Sequence, residues 1–358
     1  MSPPLIARRY RRRQGVVLLV VLFFALLLTV SVATFLRRAT VDSMVTRNRE
    51  DAAQADALAR GGVRLAHGLL VQDRLLEQSG TTARTDRFDD LWAIANDREI
   101  ELGGGTLRVS IEDAGARLNL NALLELDDQG TWSAREQSEA YLNELFEKWV
   151  DELPLAPGER ALYEPRALAG NLLDWMDSDE VRAEGGFEDD FYEIQEPPYR
   201  AANGPLLSLD ELRLIEGFDG ILVDHLRHYV TVYPWTPGGC GYAGIGCGIN
   251  LNTAAPHVLA LLFYDDGVTE RLATEDLVRG ILRARDAESG ICGIDNSPEG
   301  CTPITDLVVN PIFPPPSFIS EIFVIRVEAR MGDVTRTVET VVDRSGVDAT
   351  RVLSWQIR

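Results

Sequence analysis

Val16 to Leu36 form an unbroken apolar run that contains no charged residue and only Thr29, Ser31 and Thr34 as hydroxyl side chains. About 20 such residues cross a bilayer as a helix, so the run predicts a membrane-spanning segment rather than a soluble core helix. The apolar pattern continues beyond it. Val41, Met44, Val45, Ala52, Ala55, Leu58, Ala59, Val63, Ala66, Leu69, Leu70 and Leu76 keep helical spacing. One helix from Val16 to about Gln78 would be roughly 90 Å long at 1.5 Å per residue, with Gly61-Gly62 as the expected kink.

A different period follows. Leu107, Val109 and Ile111 alternate with polar residues, which predicts a half-buried strand ending near Asp113. The matching signals lie far downstream: Phe323, Ile325, Val327 and Ala329 alternate, Gly332-Asp333 has hairpin-turn chemistry, and Val334 to Val342 returns. Leu353, Trp355 and Ile357 add a final strand. A lone hairpin is only marginally stable, so the early and late strands are expected to share one antiparallel sheet against the long helix. The predicted class is α+β, with everything between the two groups of strands an insertion.

The insertion reads as helical and duplicated. Leu118-Asn119-Leu120-Asn121-Ala122 recurs as Ile249-Asn250-Leu251-Asn252-Thr253-Ala254, each expected to open a helical run. After the first copy come Leu168 to Leu173 and then Ser208 to Leu212; after the second come Val278 to Leu282 and then Pro303 to Leu307. Ser208 and Thr305 are candidate N-caps, with Glu211 completing a capping box. Asn119, Asn121, Asn250 and Asn252 are expected to bond backbone groups through their amides, a structural role that needs no ligand. Short paired helices also suggest a helix-hairpin-helix bundle, a module often used on DNA. That makes a membrane-tethered nucleic-acid binder the alternative reading.

Charge weighs against that alternative. The chain has 358 residues, Asp+Glu 56 against Lys+Arg 35, and a formal net charge of -21. Phosphate binding is dominated by Lys and Arg, so no nucleic-acid partner is expected. The basic residues are concentrated at the start: Arg8, Arg9, Arg11, Arg12 and Arg13 precede the apolar run with no acid among residues 1–15. A positive stub before an apolar segment is held in the cytoplasm. This predicts a single-pass inner-membrane protein with its C-terminal bulk in the periplasm.

Gly15 stands between the basic stub and Val16. The junction resembles a type IV prepilin leader, which a prepilin peptidase cuts after the Gly on the cytoplasmic face. Most members of that class carry Glu as the fifth mature residue; here it is Val20. An intramembrane carboxylate is costly without a partner, and in pilins the proposed partner is a neighbouring subunit's terminal amine. Its loss suggests a subunit at a filament tip.

Taken in order, the Gly15 junction, Asp113 to Asn121 (DAGARLNLN), Leu173 to Asp179 (LDWMDSD), Gly186 to Asp189 with Tyr192, Pro198-Tyr199-Arg200, Asn203-Gly204-Pro205, Ser208 to Leu212 and Ile249 to Asn252 resemble the type II secretion minor pseudopilin K (GspK) family. The resemblance implies a leader at 1–15, a transmembrane helix at 16–36, a helical spine and first sheet segment at 37–118, an inserted α-helical domain at 119–317 and the rest of the sheet at 318–358. It also implies assembly with the minor pseudopilins I and J, and H, at the tip of a periplasmic pseudopilus. An insertion of this size would obstruct stacking along a filament but not at its end.

Between Asp174 and Glu196 ten carboxylates face one base, Arg182. Crowded carboxylates repel one another unless a cation neutralises them, and all-oxygen ligands favour calcium or magnesium. The spacing is not an EF-hand: Val181 occupies the third ligand position. Calcium sites in the α-domain are a family feature, and the resemblance carries a structural calcium onto Asp174, Asp177, Asp179, Glu184, Glu188, Asp189 and Asp190. A solvated acidic loop is the competing reading.

The cysteines fall as two local pairs, Cys240 with Cys247 and Cys292 with Cys301. In the periplasm disulfides persist. Pairing within each loop is the most economical of the three connectivities open to four cysteines; zinc lacks a Cys-x-x-Cys or a nearby His. His225 and His228 beside Asp224 read as a polar helix face. No Gly-x-Ser-x-Gly, Walker loop or His-Glu-x-x-His occurs, so the chain is not expected to be an enzyme.

Overall fold

The structure, a computed structural model, describes residues 14–79, 85–182, 187–233, 248–287, 290–293, 300–346 and 350–357. Helix α1, Gln14–Gln78, is continuous over 65 residues and passes through Gly61-Gly62 without interruption. Its segment from Val16 to Leu36 is exposed along its whole length, as suits a helix whose apolar partner is lipid. From Ala55 onward the same helical spacing meets protein instead: Ala55, Ala59, Val63, Ala66 and Leu70 are buried.

They pack on a five-stranded antiparallel sheet built from β1 (Glu99–Leu102), β2 (Gly105–Asp113), β3 (Ile322–Met331), β4 (Val334–Asp343) and β5 (Arg351–Ile357), in that order across the sheet. The central pairing joins residues more than two hundred positions apart, with Val109 opposite Val327 and Ile111 opposite Ile325. Leu107, Val109, Ile111, Phe323, Ile325, Val327, Ala329, Val338 and Val342 form the face that α1 covers. Gly332, with φ at 56°, takes the left-handed conformation that closes the two-residue β3–β4 hairpin. The role of Gly62 is close approach rather than bending: a Cβ there would lie 2.6 Å from Val327 Cγ1 and 2.9 Å from Leu107 Cδ1.

The direction of α1 along the sheet fixes where the insertion sits. Near its membrane side, Asp51 lies against Gly332 at the start of β4. At its far end, Asp73 and Glu77 are in ion pairs with Arg344, just beyond the end of β4. Helix α1 and β4 therefore run in the same direction. The chain leaves the sheet at Asp113 and re-enters at Ile322, and Phe323 pairs with both Asp113 and Val342 at this far end. The insertion thus caps the sheet at the end away from the apolar segment.

A buried polar cluster fastens this junction. Arg344 also pairs with Asp86, Asp86 accepts from the Ser320 amide at 2.6 Å, and the Asp86 amide donates to the Phe318 carbonyl at 2.9 Å. Asp113 accepts from Asn250 Nδ2 at 3.0 Å and from the Gly115 amide at 2.7 Å. Its burial pushes the carboxyl up to about 6.

The insertion has its own core, centred on α2 (Ser138–Glu152), α3 (Pro165–Met176), α4 (Gly220–Leu226) and α5 (Glu275–Arg285). The expected order recurs twice: α3 precedes a 3-10 helix at Leu209–Leu214, and α5 precedes another at Ile304–Asp306. Ser208 and Glu211 form the expected capping box. Thr305 does not cap; Pro303 occupies that position and Thr305 lies inside the turn. The insertion also departs from the purely helical expectation. It holds short strands, among them Leu124–Leu126 with Trp132–Ala134 and a three-stranded set at Phe263–Asp265, Glu270–Leu272 and Ile312–Phe313. Segments of two or three residues are too short to show a period. Likewise, Asn119-Leu120-Asn121 opens a 3-10 turn, not an α-helix.

Candidate functional site

Helix α3 begins with Pro165 at its first turn and buries Leu168, Ala169, Leu172, Leu173, Trp175 and Met176. It ends at Asp177, whose extended backbone turns the chain away while its amide still bonds the Leu173 carbonyl at 2.9 Å. Ser178 ties the turn to Trp132 through both its amide and its hydroxyl. Asp179 then accepts from the Val181 amide at 2.7 Å. An isolated antiparallel bridge between Val181 and Phe187 folds the chain back. That return sets Glu188 beside Asp177 and Asp179, with one carboxylate oxygen of each residue within 4.8 Å of the others.

The chemistry of these oxygens is distinctive. Glu188 is only 4 % exposed, yet among the described residues neither of its carboxylate oxygens has a hydrogen-bond partner, and Asp177 Oδ1 is equally unsatisfied. Burial, reinforced by the neighbouring carboxylates, pushes Asp177 up to about 7 and Glu188 up to about 8. The one nearby base in sequence does not relieve them: Arg182 turns to Glu216 at 2.5 Å and Asn171 at 2.9 Å. Three convergent carboxylates, of which Asp177 and Glu188 carry orphaned buried oxygens while Asp179 is exposed, fit a hard divalent cation.

The remaining expected ligands fall out as follows. Asp174 is buried near the trio and contributes to its electrostatic repulsion. Asp189 accepts from the Ala201 amide at 3.1 Å and faces Arg200 at 3.6 Å, so it shapes the loop. Asp190 is exposed, and Glu184 lies outside the described residues. A recess of about 290 Å³ lies beside Glu188, Asp189 and Asp190; Asp177 and Asp179 do not line it. A second convergence, Asp73 with Asp86 and Asp90, carries no signal in the sequence; there Arg344 already supplies the positive charge for Asp73 and Asp86.

The two Asn-Leu-Asn segments have matching geometry. Asn119 Oδ1 accepts from the Asn121 amide and Asn250 Oδ1 from the Asn252 amide, both at 3.0 Å. Asn121 clamps Leu206 through both backbone groups and also the Val232 carbonyl. Asn252 clamps both backbone groups of Ile291. Each segment also makes a parallel backbone pairing, Leu118–Asn119 with Val230–Thr231 and Asn250 with Ser317. Cys292 and Cys301 are joined by a disulfide, with Cα atoms 6.0 Å apart. Cys240 and Cys247 lie outside the described residues.

Residues 116–235, the first half of the insertion, match the family model of type II secretion system protein K. The chain is 31% identical over 238 residues to type II secretion system protein K of Klebsiella pneumoniae, covering 66% of this chain and 65% of that protein. Against the protein K of Pseudomonas aeruginosa it is 30% identical over 252 residues, 69% of this chain and 67% of that one. The chain belongs to the type II secretion system protein K family. The match to the Klebsiella protein spans just under two thirds of that protein's length. At the level of fold, this protein K chain resembles a chain from the crystal structure of the GspK-GspI-GspJ complex of the enterotoxigenic Escherichia coli Type 2 Secretion System. The TM-score is 0.57 at 20% identity, and the alignment covers 87% of this chain and 99% of that one.

Proposed function

We propose that this protein K acts as a minor pseudopilin at the tip of the pseudopilus of a type II protein secretion system, helping to initiate and cap the filament that drives export of folded proteins. The observation that carries this reading is the position of the insertion. It covers the end of the helix-and-sheet unit opposite the apolar segment, where a further subunit would otherwise stack. A filament can end on such a subunit but cannot continue through it.

In this reading Val16 to Leu36 anchor the protein by a single pass in the inner membrane, the arginine-rich stub stays in the cytoplasm and the remainder is periplasmic. Prepilin peptidase cleaves between Gly15 and Val16. The partners are I- and J-type pseudopilins, counterparts of the GspI and GspJ chains that accompany GspK in the similar complex, with H below them. Asp177, Asp179 and Glu188 hold a calcium ion that ties the end of α3 to the returning loop; the ion supplies charge neutralisation and order, and no catalysis is assigned to it.

The deciding experiment is co-purification of the full-length chain with the I- and J-type subunits of the same system in detergent. A stable ternary complex is expected. Recovery of the chain alone, with I and J pairing without it, would overturn the reading.

A further inference from the structure

Helix α1 changes character where its apolar run stops. Val16 to Leu36 extend about 31 Å at 1.5 Å per residue, close to the roughly 30 Å of hydrocarbon in a bilayer. Leu36 therefore stands at the edge of the hydrocarbon, and Arg37 and Arg38 follow it directly. From Arg37 to Arg49 the helix carries four arginines, Arg37, Arg38, Arg47 and Arg49, against one acid, Asp42, in a chain whose net charge is -21. All four are exposed.

No acid of the chain claims them. Elsewhere on the helices, acids and bases three or four positions apart pair: Asp56 with Arg60 at 3.0 Å, Arg74 with Glu77 at 2.9 Å and Lys148 with Glu152 at 2.5 Å. Arg38 and Asp42 have that spacing, as do Arg47 and Asp51, yet among the described residues none of the four arginines is in an ion pair. Orientation of the span does not need them either. Five arginines before Val16 orient it, and arginines at its other end work against that orientation.

Depth separates the four into two pairs. The polar layer on each side of the hydrocarbon is about 5–8 Å deep. Arg37 and Arg38 rise roughly 1.5–3 Å past Leu36, inside that layer, whereas Arg47 and Arg49 rise roughly 16–20 Å, beyond it. Side chains on a helix lean toward its N-terminus, which here is the membrane side, so positions 37 and 38 are aimed back at the lipid phosphates. A guanidinium offers a planar pair of donors that matches two phosphate oxygens. Two adjacent ones favour a headgroup whose phosphate is not already answered by an ammonium of its own.

We propose that Arg37 and Arg38 bind the headgroup phosphate of an anionic phospholipid in the leaflet beneath the folded domain. Because α1 is continuous from the span to the sheet, the bound lipid fixes the depth of the span and with it the height at which the sheet and its insertion stand above the membrane. The proposal rests on the membrane anchorage in the proposed function and not on the place of the chain in a filament.

The test places the full chain in vesicles of phosphatidylcholine and phosphatidylglycerol in which one lipid or the other carries a diazirine near the ester end of an acyl chain. After irradiation, peptide mapping separates adducts around residues 33–41 from those near Val16. Adducts at 33–41 are expected to favour phosphatidylglycerol, relative to its share of the bilayer, by about five- to thirtyfold, the range for one to two arginines at a membrane surface. Arg37→Gln combined with Arg38→Gln should remove the preference; glutamine has a helix propensity close to that of arginine, so α1 is retained. Arg47→Gln combined with Arg49→Gln should leave the preference unchanged. No preference in the wild type, or one that survives the substitutions at 37 and 38, would overturn the proposal while sparing the proposed function. Loss of the preference when inorganic phosphate replaces chloride at equal ionic strength would overturn it in favour of a free anion. Loss of I- and J-type subunit capture by the 37 and 38 variant in lipid-free detergent would overturn it in favour of carboxylates on a partner. A chain that does not float with the vesicles at all would overturn the membrane anchorage and this proposal together.

Discussion

Asn121 and Asn252 do equivalent work from opposite halves of the insertion: each uses a short side chain to satisfy buried backbone groups that no strand reaches. Asn121 serves three such groups, the Leu206 amide, the Leu206 carbonyl and the Val232 carbonyl; Asn252 serves two, both on Ile291. Leaving a buried polar group without a partner costs about 1–3 kcal/mol, far more than a satisfied hydrogen bond contributes. Asn121→Ala is therefore expected to destabilise the insertion by about 2–4 kcal/mol, and Asn252→Ala by less. Urea unfolding of the full chain in detergent, followed by tryptophan fluorescence, measures both. Equal or reversed costs would show that the clamp is not what these residues provide. The residue types and their repeat are visible in sequence, because Asn competes for backbone bonds wherever it stands. Their partners are not, since Leu206 and Ile291 are chosen only when the chain folds back.

Among the elements, α1 shows how two adjacent glycines can have opposite roles. A Cβ on Gly61 meets nothing within 4 Å, whereas one on Gly62 meets Val327 and Leu107. Gly61→Ala should stabilise by roughly 0.5–1 kcal/mol through helix propensity, and Gly62→Ala should destabilise by about 1–3 kcal/mol as the helix is pushed off β2 and β3. Thermal melts of the two variants and the wild type would give shifts of opposite sign; shifts of the same sign would refute the packing account. The pair reads in sequence as a break because local propensity sees only two poor helix formers. The helix itself and the alternation in β2, β3 and β4 are legible because each carries a long, single period. The fastening at the far end is not, since Asp86 and Arg344 are 258 positions apart and neither is marked by its neighbours. The same holds for Glu188, which is brought to Asp177 where the chain folds back at the Val181–Phe187 bridge.

For the whole molecule, the carboxylate trio makes stability depend on pH and on metal in opposite senses. Asp177 and Glu188 are pushed up to about 7 and about 8, while in the unfolded chain they return to the ordinary carboxylate range. Without metal the folded protein therefore retains protons that the unfolded chain releases. The associated stabilisation is fully present below about pH 4 and is lost as pH rises through 7 to 8. A bound cation reverses this, because it takes the deprotonated trio, so its affinity rises over the same interval. At a calcium concentration about 100 times Kd, binding adds about 2.7 kcal/mol, equivalent to a rise on the order of 5–10 °C in the melting temperature of the insertion. Differential scanning fluorimetry of the full chain at pH 8 should show this shift on adding calcium and its loss on chelation, with a much smaller effect at pH 5.5. Glu188→Gln keeps the shape of the side chain but removes one charge from the trio. It should abolish the calcium shift while raising the metal-free melting temperature at pH 8, since the neutral amide no longer carries the cost of an ionised, unpartnered carboxylate. A variant that loses stability without metal and still responds to calcium would mean that Glu188 is held for packing and that the ion, if it binds, does so elsewhere.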